Sequence, residues 1–310
     1  MSQVQNKKFV LVTGCTPGGI GHSICVEFHK RGYYVIATAR SSKALASLAQ
    51  QGITSVPLDV TNQDSIVECR KKVVDITGGR LDVLVNNAGR THTFPATDLS
   101  IDDVRKTFEV NVFGVMAMVS AFSTPLIQAQ GLVINIASLS AVVPYIFGSA
   151  YCASKGAIVS YSRTLRQELK PFGVRVMCAM VGPVQSNIAD NWTEKTLPPD
   201  SHYLAVTDLF EKRLRFSQNN AEMTPDQLAH ALVDRSTRAE VWWFLRAWLG
   251  RPDWFWYGRL AWAVWFGSLL FGEWVIDYVC YLIFGLGKLD SILREEEFKS
   301  KNDAKKTKAE

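Results

Sequence analysis

The sequence predicts an α/β fold, an open parallel sheet with helices on both faces followed by a C-terminal hydrophobic extension, and three observations carry that expectation. From residue 8 to about residue 180, short apolar runs alternate with amphipathic stretches of helical period. The first apolar run leads through a Gly-rich turn into a helix, an arrangement that lets backbone approach a phosphate. Eight of the nine Trp fall between Trp242 and Trp274, which marks the C-terminal portion as facing a different solvent.

At 310 residues the chain can form one large domain, or one domain plus an appendage, and the shift in composition favours the second. The net charge is +5, but no basic cluster with interleaved aromatics precedes the tail, which argues against nucleic acid as a partner. The six Cys, at 15, 25, 69, 152, 178 and 280, have no CxxC spacing and sit mostly in apolar stretches. They read as reduced core thiols, with no metal site expected. The opening MSQVQNKK has no apolar region, so a cleaved signal peptide is not expected.

Taken in order, residues 8 to 13 (KFVLVT) form a buried strand, followed by the turn Gly14-Cys15-Thr16-Pro17-Gly18-Gly19-Ile20-Gly21 and a helix to about Arg31. Glycine here permits a tight turn and close approach to a pyrophosphate, whose charge the helix N-terminus stabilises; a Gly-rich connection without a ligand is the alternative. The second strand, 33 to 38, ends in Ala39-Arg40-Ser41-Ser42. NAD binders place an acid there for the ribose 2′-hydroxyl, whereas Arg40 suits a 2′-phosphate, so the expected cofactor is NADPH, with an Arg on a solvated loop as the alternative. A third strand, Ile53 to Leu58, runs into Asp59, a contact for the adenine amine or a helix cap.

After a helix from Gln63 to Thr77, the strand Leu81 to Val85 ends in Asn86-Asn87-Ala88-Gly89. The two amides can tie neighbouring strands together, or the segment is a plain turn. Residues Ile101 to about Gln130 read as one long helix with Asn111 in its middle. Asn is a poor interior helix residue, so it either bonds its own helix or bends it and orders a water near Lys155. The strand Gly131 to Ala137 then delivers Ser138.

Tyr151 and Lys155 are four residues apart and share a face if the segment is helical. A phenol, with a pKa of about 10, exchanges protons poorly near neutrality, and a neighbouring ammonium is expected to lower that value. Tyr151 would then pass a proton to or from a carbonyl oxygen that Ser138 also contacts. Alone, this spacing is a weak pattern that a Tyr lying on a Lys stem would satisfy.

Beyond the strand Val174 to Met180 and the turn Val181-Gly182-Pro183, residues Tyr203, Val206, Phe210 and Leu214 form an apolar helical stripe. The stripe suits an acyl chain or packing on the core. Thr224-Pro225 starts another helix, and Trp254 to Tyr257 is the last strand. Residues 260 to 272 carry no charge; Glu273 and Asp277 then precede an uncharged run from Tyr278 to Gly287. Neither run reaches the roughly 20 residues of a membrane span. Trp-rich segments of this kind fit an interfacial helix or hairpin in one leaflet, with a dimer interface or a substrate channel as alternatives. The Lys-rich end, KSKNDAKKTK, reads as a solvated tail that adds weak attraction to anionic lipid.

With Thr13-Gly14 to Gly21, Asn86-Asn87-Ala88-Gly89, Asn111, Ser138 and Tyr151-x-x-x-Lys155 all in order, the chain resembles the short-chain dehydrogenase/reductase superfamily over residues 8 to about 258. The resemblance implies a seven-stranded Rossmann sheet and a catalytic tetrad of Asn111, Ser138, Tyr151 and Lys155. It also implies cofactor contacts from Gly14, Thr16, Gly19, Ile20, Gly21, Arg40, Asp59, Asn87, Ala88, Gly89, Tyr151, Lys155, Val184 and Ser186. Two departures stand out: the glycine loop is one residue longer than usual, and Val181-Gly182-Pro183 stands where the family usually has Pro-Gly.

Further blocks, FEVNVFG at 108 to 114 and FGSAYCASKGAI at 147 to 158, are similar to fungal NADPH-dependent reductases of lipophilic ketones. That likeness implies an acyl ketone phosphate as substrate, with a steroid-like or polyketide-derived ketone as the alternative. A phosphate would need a cation, for which Arg90, Lys195 and Arg213 are candidates. The expected organisation is a catalytic domain at 1–258, a hydrophobic interfacial segment at 259–290 and a charged tail at 291–310, on the cytosolic face of the endoplasmic reticulum membrane or on a lipid droplet, with room for a homo-oligomer. A cofactor-binding scaffold on a lipid surface is the non-enzymatic alternative, against which the complete tetrad argues.

Overall fold

Seven short apolar runs become strands: β1 (Phe9–Val12), β2 (Tyr34–Ala39), β3 (Thr54–Pro57), β4 (Val83–Asn86), β5 (Leu132–Ile136), β6 (Arg175–Val181) and β7 (Trp254–Tyr257). In the computed structural model, which describes residues 7–185, 196–219, 221–242, 245, 249–258 and 261–307, they form one sheet in the order β3-β2-β1-β4-β5-β6-β7. Every adjacent pair is parallel. A parallel sheet is covered on both faces, which is why the inner strands read as continuous apolar runs rather than as alternating ones, whereas β3 at the edge is Thr-Ser-Val-Pro with only Val56 buried.

Strand β1 shows the division. Val10 and Val12 face a core shared with Ile24, Cys25 and Phe28 of α1 (Ile20–Lys30) and with Leu228 and Leu232 of α8 (Pro225–Thr237). Phe9 and Leu11 face the opposite core, with Ile66, Cys69 and Val73 of α3 (Gln63–Thr77), Met118, Phe122 and Leu126 of α5 (Gly114–Ala129), and Leu165 of α6 (Ser149–Leu169). The capping expected at Thr224 is complete: its hydroxyl accepts from the Gln227 N–H, the Gln227 side chain accepts from the Thr224 N–H, and Pro225 opens the helix. A short helix, α2 (Ala46–Gln50), lies between β2 and β3 where the sequence reading named none.

One expectation is corrected, and one pair of alternatives is decided. The helix over 101–130 is not uniform: α4 (Ile101–Phe108) joins α5 through a π turn, Glu109–Phe113, that contains Asn111. The apolar stripe on α7 (Thr207–Asn219) and the turn before it belongs to the core, because Val206 and Phe210 are buried, with Phe210 packed among Phe147, Leu197 and Tyr203. Beyond β7 come α9 (Ala261–Phe271), α10 (Glu273–Ile283) and α11 (Gly287–Thr307), with a positive φ at Gly272 between the first two and at Gly285 before the third. Among the described residues, only Ile101–Ala129 is long and apolar enough to cross a membrane, and half of it is buried inside the protein, as a core helix is.

Asn86 Nδ2 donates to Asn135 Oδ1 at 2.8 Å, and Asn135 Nδ2 donates to Ser162 Oγ at 2.9 Å, so the carboxyl ends of β4 and β5 are tied to each other and to α6. Replacing the buried Asn135 by Val leaves the Asn86 amide without that acceptor and is expected to cost about 1–3 kcal/mol. The urea midpoint measures this, and an unchanged midpoint would show that the ladder contributes nothing to stability.

Candidate active site

The strand order reverses between β1 and β4, and a crevice opens at their carboxyl ends, where open α/β sheets hold their ligands. Three hydrogen bonds shape it. The backbone N–H groups of Asn87 and Ala88 both donate to Thr13 Oγ1 at 3.0 Å, and Asn87 Nδ2 donates to the Thr13 carbonyl at 2.9 Å. The turn after β4 is thereby locked to the glycine loop after β1. Gly14 sits at φ 73°, and a Cβ there would fall 2.8 Å from the Ala88 Cα, so only glycine allows this approach.

The resulting cleft holds about 1060 Å³. Gly14, Thr16, Gly19, Ile20, Arg40, Asp59, Asn87, Ala88, Gly89, Tyr151, Lys155 and Val184 all line it. Gly21 does not. It lies buried behind the loop, where a Cβ would meet the Gly14 carbonyl at 2.7 Å. Ser186 and Lys195 lie outside the described residues. The crevice fits a dinucleotide. Helix α1 begins at Gly19 with no side-chain cap and no acid in its first turn, so its N-terminus stays open to a pyrophosphate. Asp59 Oδ1 accepts from the Thr61 N–H and hydroxyl at 2.9 and 2.7 Å, while Asn62 caps α3.

The tetrad residues converge from three elements. Ser138 follows β5 in extended conformation and stands beside Tyr151 on α6. Lys155, one turn further on, donates from Nζ to the Ile136 carbonyl at 2.8 Å and lies 5.9 Å from the Tyr151 ring centre. Asn111 stands one layer behind. Its Oδ1 accepts from the Arg90 N–H at 2.8 Å, and its Nδ2 donates to the Arg90 carbonyl at 2.9 Å and to Ser154 Oγ at 3.0 Å. It therefore bonds outside its own helix, and the π turn aims it there.

The electrostatics correct one expectation. Burial pushes the Tyr151 phenol up to about 12, outweighing the opposite pull of the Ser138 hydroxyl beside it. Burial also brings Lys155 down to about 8. The expected lowering of Tyr151 by its ammonium neighbour does not prevail in the chain alone, because desolvation acts on both groups and Lys155 is turned to a backbone carbonyl.

The other end of the cleft is apolar and aromatic. Tyr145, Phe216 and Phe284 line it and touch pairwise, with ring centres 5.8, 5.7 and 5.3 Å apart. Arg213 is buried behind them with its guanidinium 3.2 Å from the Tyr145 ring centre and its Nε donating to the Ile146 carbonyl. Arg90 pairs with Asp103 at 3.2 Å. The sequence reading missed Tyr145, Phe216 and Phe284, whose roles depend on contacts between distant segments. It also missed Thr13 as the lock, although Thr directly before Gly14 was a local signal.

Residues 8–197 match the family model described as short chain dehydrogenase. A protein named short-chain dehydrogenase fogD, from Aspergillus ruber, is 39% identical over 284 residues, 91% of this chain and 95% of its own. The NADPH-dependent 1-acyldihydroxyacetone phosphate reductase of Schizosaccharomyces pombe is also 39% identical, over 86% of this chain and 91% of its own. Among solved structures, a short-chain dehydrogenase from Streptomyces avermitilis superposes with a TM-score of 0.72 at 26% identity, over 94% of this chain and 98% of that one.

Replacing Asn111 by Leu removes three hydrogen bonds, including the one that holds the Arg90 amide. At about 1 kcal/mol or a little more per bond, exchange of that amide with solvent should speed roughly tenfold. Unchanged protection at Arg90 would show that the π turn does not hold the loop after β4.

Proposed function

The chain belongs to the short-chain dehydrogenase family, and on that premise we propose that it is an NADPH-dependent ketoreductase that converts 1-acyldihydroxyacetone phosphate to 1-acylglycerol 3-phosphate in glycerolipid synthesis. The observation that carries the reading is a cleft with Ser138, Tyr151 and Lys155 between an end walled by the glycine loop and the open N-terminus of α1 and an aromatic, apolar end. The likeness to the fission-yeast reductase supports the choice of ketone. The uncharged residues after β7 support association with the endoplasmic reticulum membrane or a lipid droplet.

NADPH supplies a hydride to the carbonyl carbon. The residues do the rest. Ser138 donates a hydrogen bond to the carbonyl oxygen, and Tyr151 gives it a proton as the C=O becomes C–OH. A phenol held at about 12 arrives protonated, which is the form that reduction requires. The charged Lys155 stabilises the phenolate left behind, and Asn111 fixes the loop and helix that carry these groups. Arg40 at the rim takes the 2′-phosphate.

A second reading, an unphosphorylated lipophilic ketone, is favoured by one observation. Of the candidate phosphate-binding cations among the described residues, Arg90 pairs with Asp103 and Arg213 is stacked behind Tyr145.

The deciding measurement is NADPH oxidation by the detergent-solubilised protein with 1-palmitoyl dihydroxyacetone phosphate, a steroid ketone and a polyketide ketone. Preference for the phosphorylated lipid supports the first reading, and preference for an unphosphorylated ketone moves the protein to the second. Tyr151→Phe should lower kcat by roughly a hundredfold or more while leaving NADPH affinity intact; undiminished turnover would remove Tyr151 as the acid.

The pH profile tests Lys155 separately. Its folded pKa is lowered, so its charge is present below about 8 and lost above it, while Tyr151 keeps its proton throughout that window. Reduction should therefore hold level at lower pH and fall as pH rises through about 8. A profile that stays level to about pH 10 would show that the Lys155 charge is not needed.

A further inference from the structure

Helix α10 presents an outer apolar arc and, on its other side, buried Cys280 toward the cleft, and the two face different surroundings. On the inside, Cys280 is buried and lines the cleft, and the next turn brings Phe284 into the aromatic triangle with Tyr145 and Phe216. On the outside, Trp274, Tyr278 and Leu282 follow at intervals of four with 70%, 59% and 57% of their surface exposed, and Val279 is exposed beside them. At about 100° per residue these side chains occupy one arc of roughly half the helix circumference. The two acids, Glu273 and Asp277, fall outside that arc. Ile283 stands at its edge and belongs to both sides, since it is 55% exposed and also lines the cleft. The apolar outer surface is thus continuous with the interior of the substrate end.

An exposed apolar patch of this size needs a cover. Three features point to lipid. Tyr and Trp suit an interface that is apolar on one side and wet on the other. Beyond the acidic turn Glu295-Glu296-Glu297, residues 299–310 carry five Lys against Asp303 and Glu310, so positive charge able to meet an anionic surface is confined to this last stretch. A rigid protein partner seated over Ile283 would close the mouth of the cleft, whereas fluid acyl chains would leave a route through it.

We propose that α10 is a portal: its outer arc rests on an anionic lipid surface, and the acyl chain of the ketone passes from that surface across Ile283 into the cleft beside Phe284. The proposal rests on the reading of the protein as a reductase of a lipophilic ketone, and it makes the membrane contact and the delivery of substrate one and the same helix face.

The test uses the full-length chain and the double variant Tyr278→Glu, Leu282→Glu, neither of which lines the cleft. Each protein is given two forms of the same ketone, a soluble short-chain form and a palmitoyl form in vesicles of phosphatidylcholine and phosphatidylserine. The variant should turn over the short-chain ketone within about twofold of the parent, lose roughly tenfold in kcat/KM on the vesicle-borne ketone, and float less with the vesicles.

Reduced flotation with undiminished long-chain turnover would overturn the portal, as would equal losses on both ketones. A change in oligomeric state by light scattering with unchanged flotation would assign the arc to a second copy of the chain and also overturn it. If the parent reduces neither ketone, the ketoreductase reading fails on its own. The portal is then judged by transfer of a pyrene-labelled lipid from vesicle to protein, which the parent should support and the variant should lose; no transfer to the parent overturns it.

Discussion

The site depends on a small lattice of buried and part-buried hydrogen bonds at the carboxyl ends of β1, β4 and β5. Thr13 accepts from two backbone N–H groups of the turn after β4, Asn87 reaches back to the glycine loop, and Asn86 passes through Asn135 to Ser162 on α6. A buried polar group is costly when unpaired, so each member of the lattice restricts the position of the next. Through Asn111 the same kind of bonding extends to the loop after Gly89 and to Ser154, one residue before Lys155. The reacting side chains are held by their neighbours' need for partners more than by contacts of their own.

The cleft has two different ends. At the nucleotide end the wall is backbone and glycine, with an open helix terminus and Arg40 at the rim. At the far end it is aromatic, and the buried guanidinium of Arg213 lies over the faces of Tyr145 and Phe284. Tyr151 and Lys155 lie between them in low dielectric. That environment shifts both groups toward their neutral forms, and it also strengthens any charge interaction made once water is excluded.

Much of this was legible in the sequence, for identifiable reasons. A parallel sheet covered on both faces leaves continuous apolar runs, so all seven strands could be read to within a residue or two. Tyr151 and Lys155 could be paired because four residues is the spacing of a helix face. The oddity of Asn111 inside a helix was visible, yet the π turn was not, since it reflects tertiary bonds to Arg90 and Ser154. The direction of the Tyr151 shift was misjudged because local spacing reveals a neighbouring charge but not the depth of burial. The stripe at Val206 and Phe210 had the right period, but period alone does not say whether a helix face meets substrate or core.

The order in which the walls appear along the chain has a consequence for synthesis. Ser138, Tyr151, Lys155 and the described lining of the nucleotide end all occur by Val184, whereas Val264, Cys280 and Phe284 of the substrate end follow about 80 to 100 residues later, and β7, at the edge of the sheet, is also late. A chain emerging from the ribosome folds from its N-terminal side. Tyr145 and Phe216 are therefore in place before Phe284, and the aromatic triangle closes only once α10 has been made.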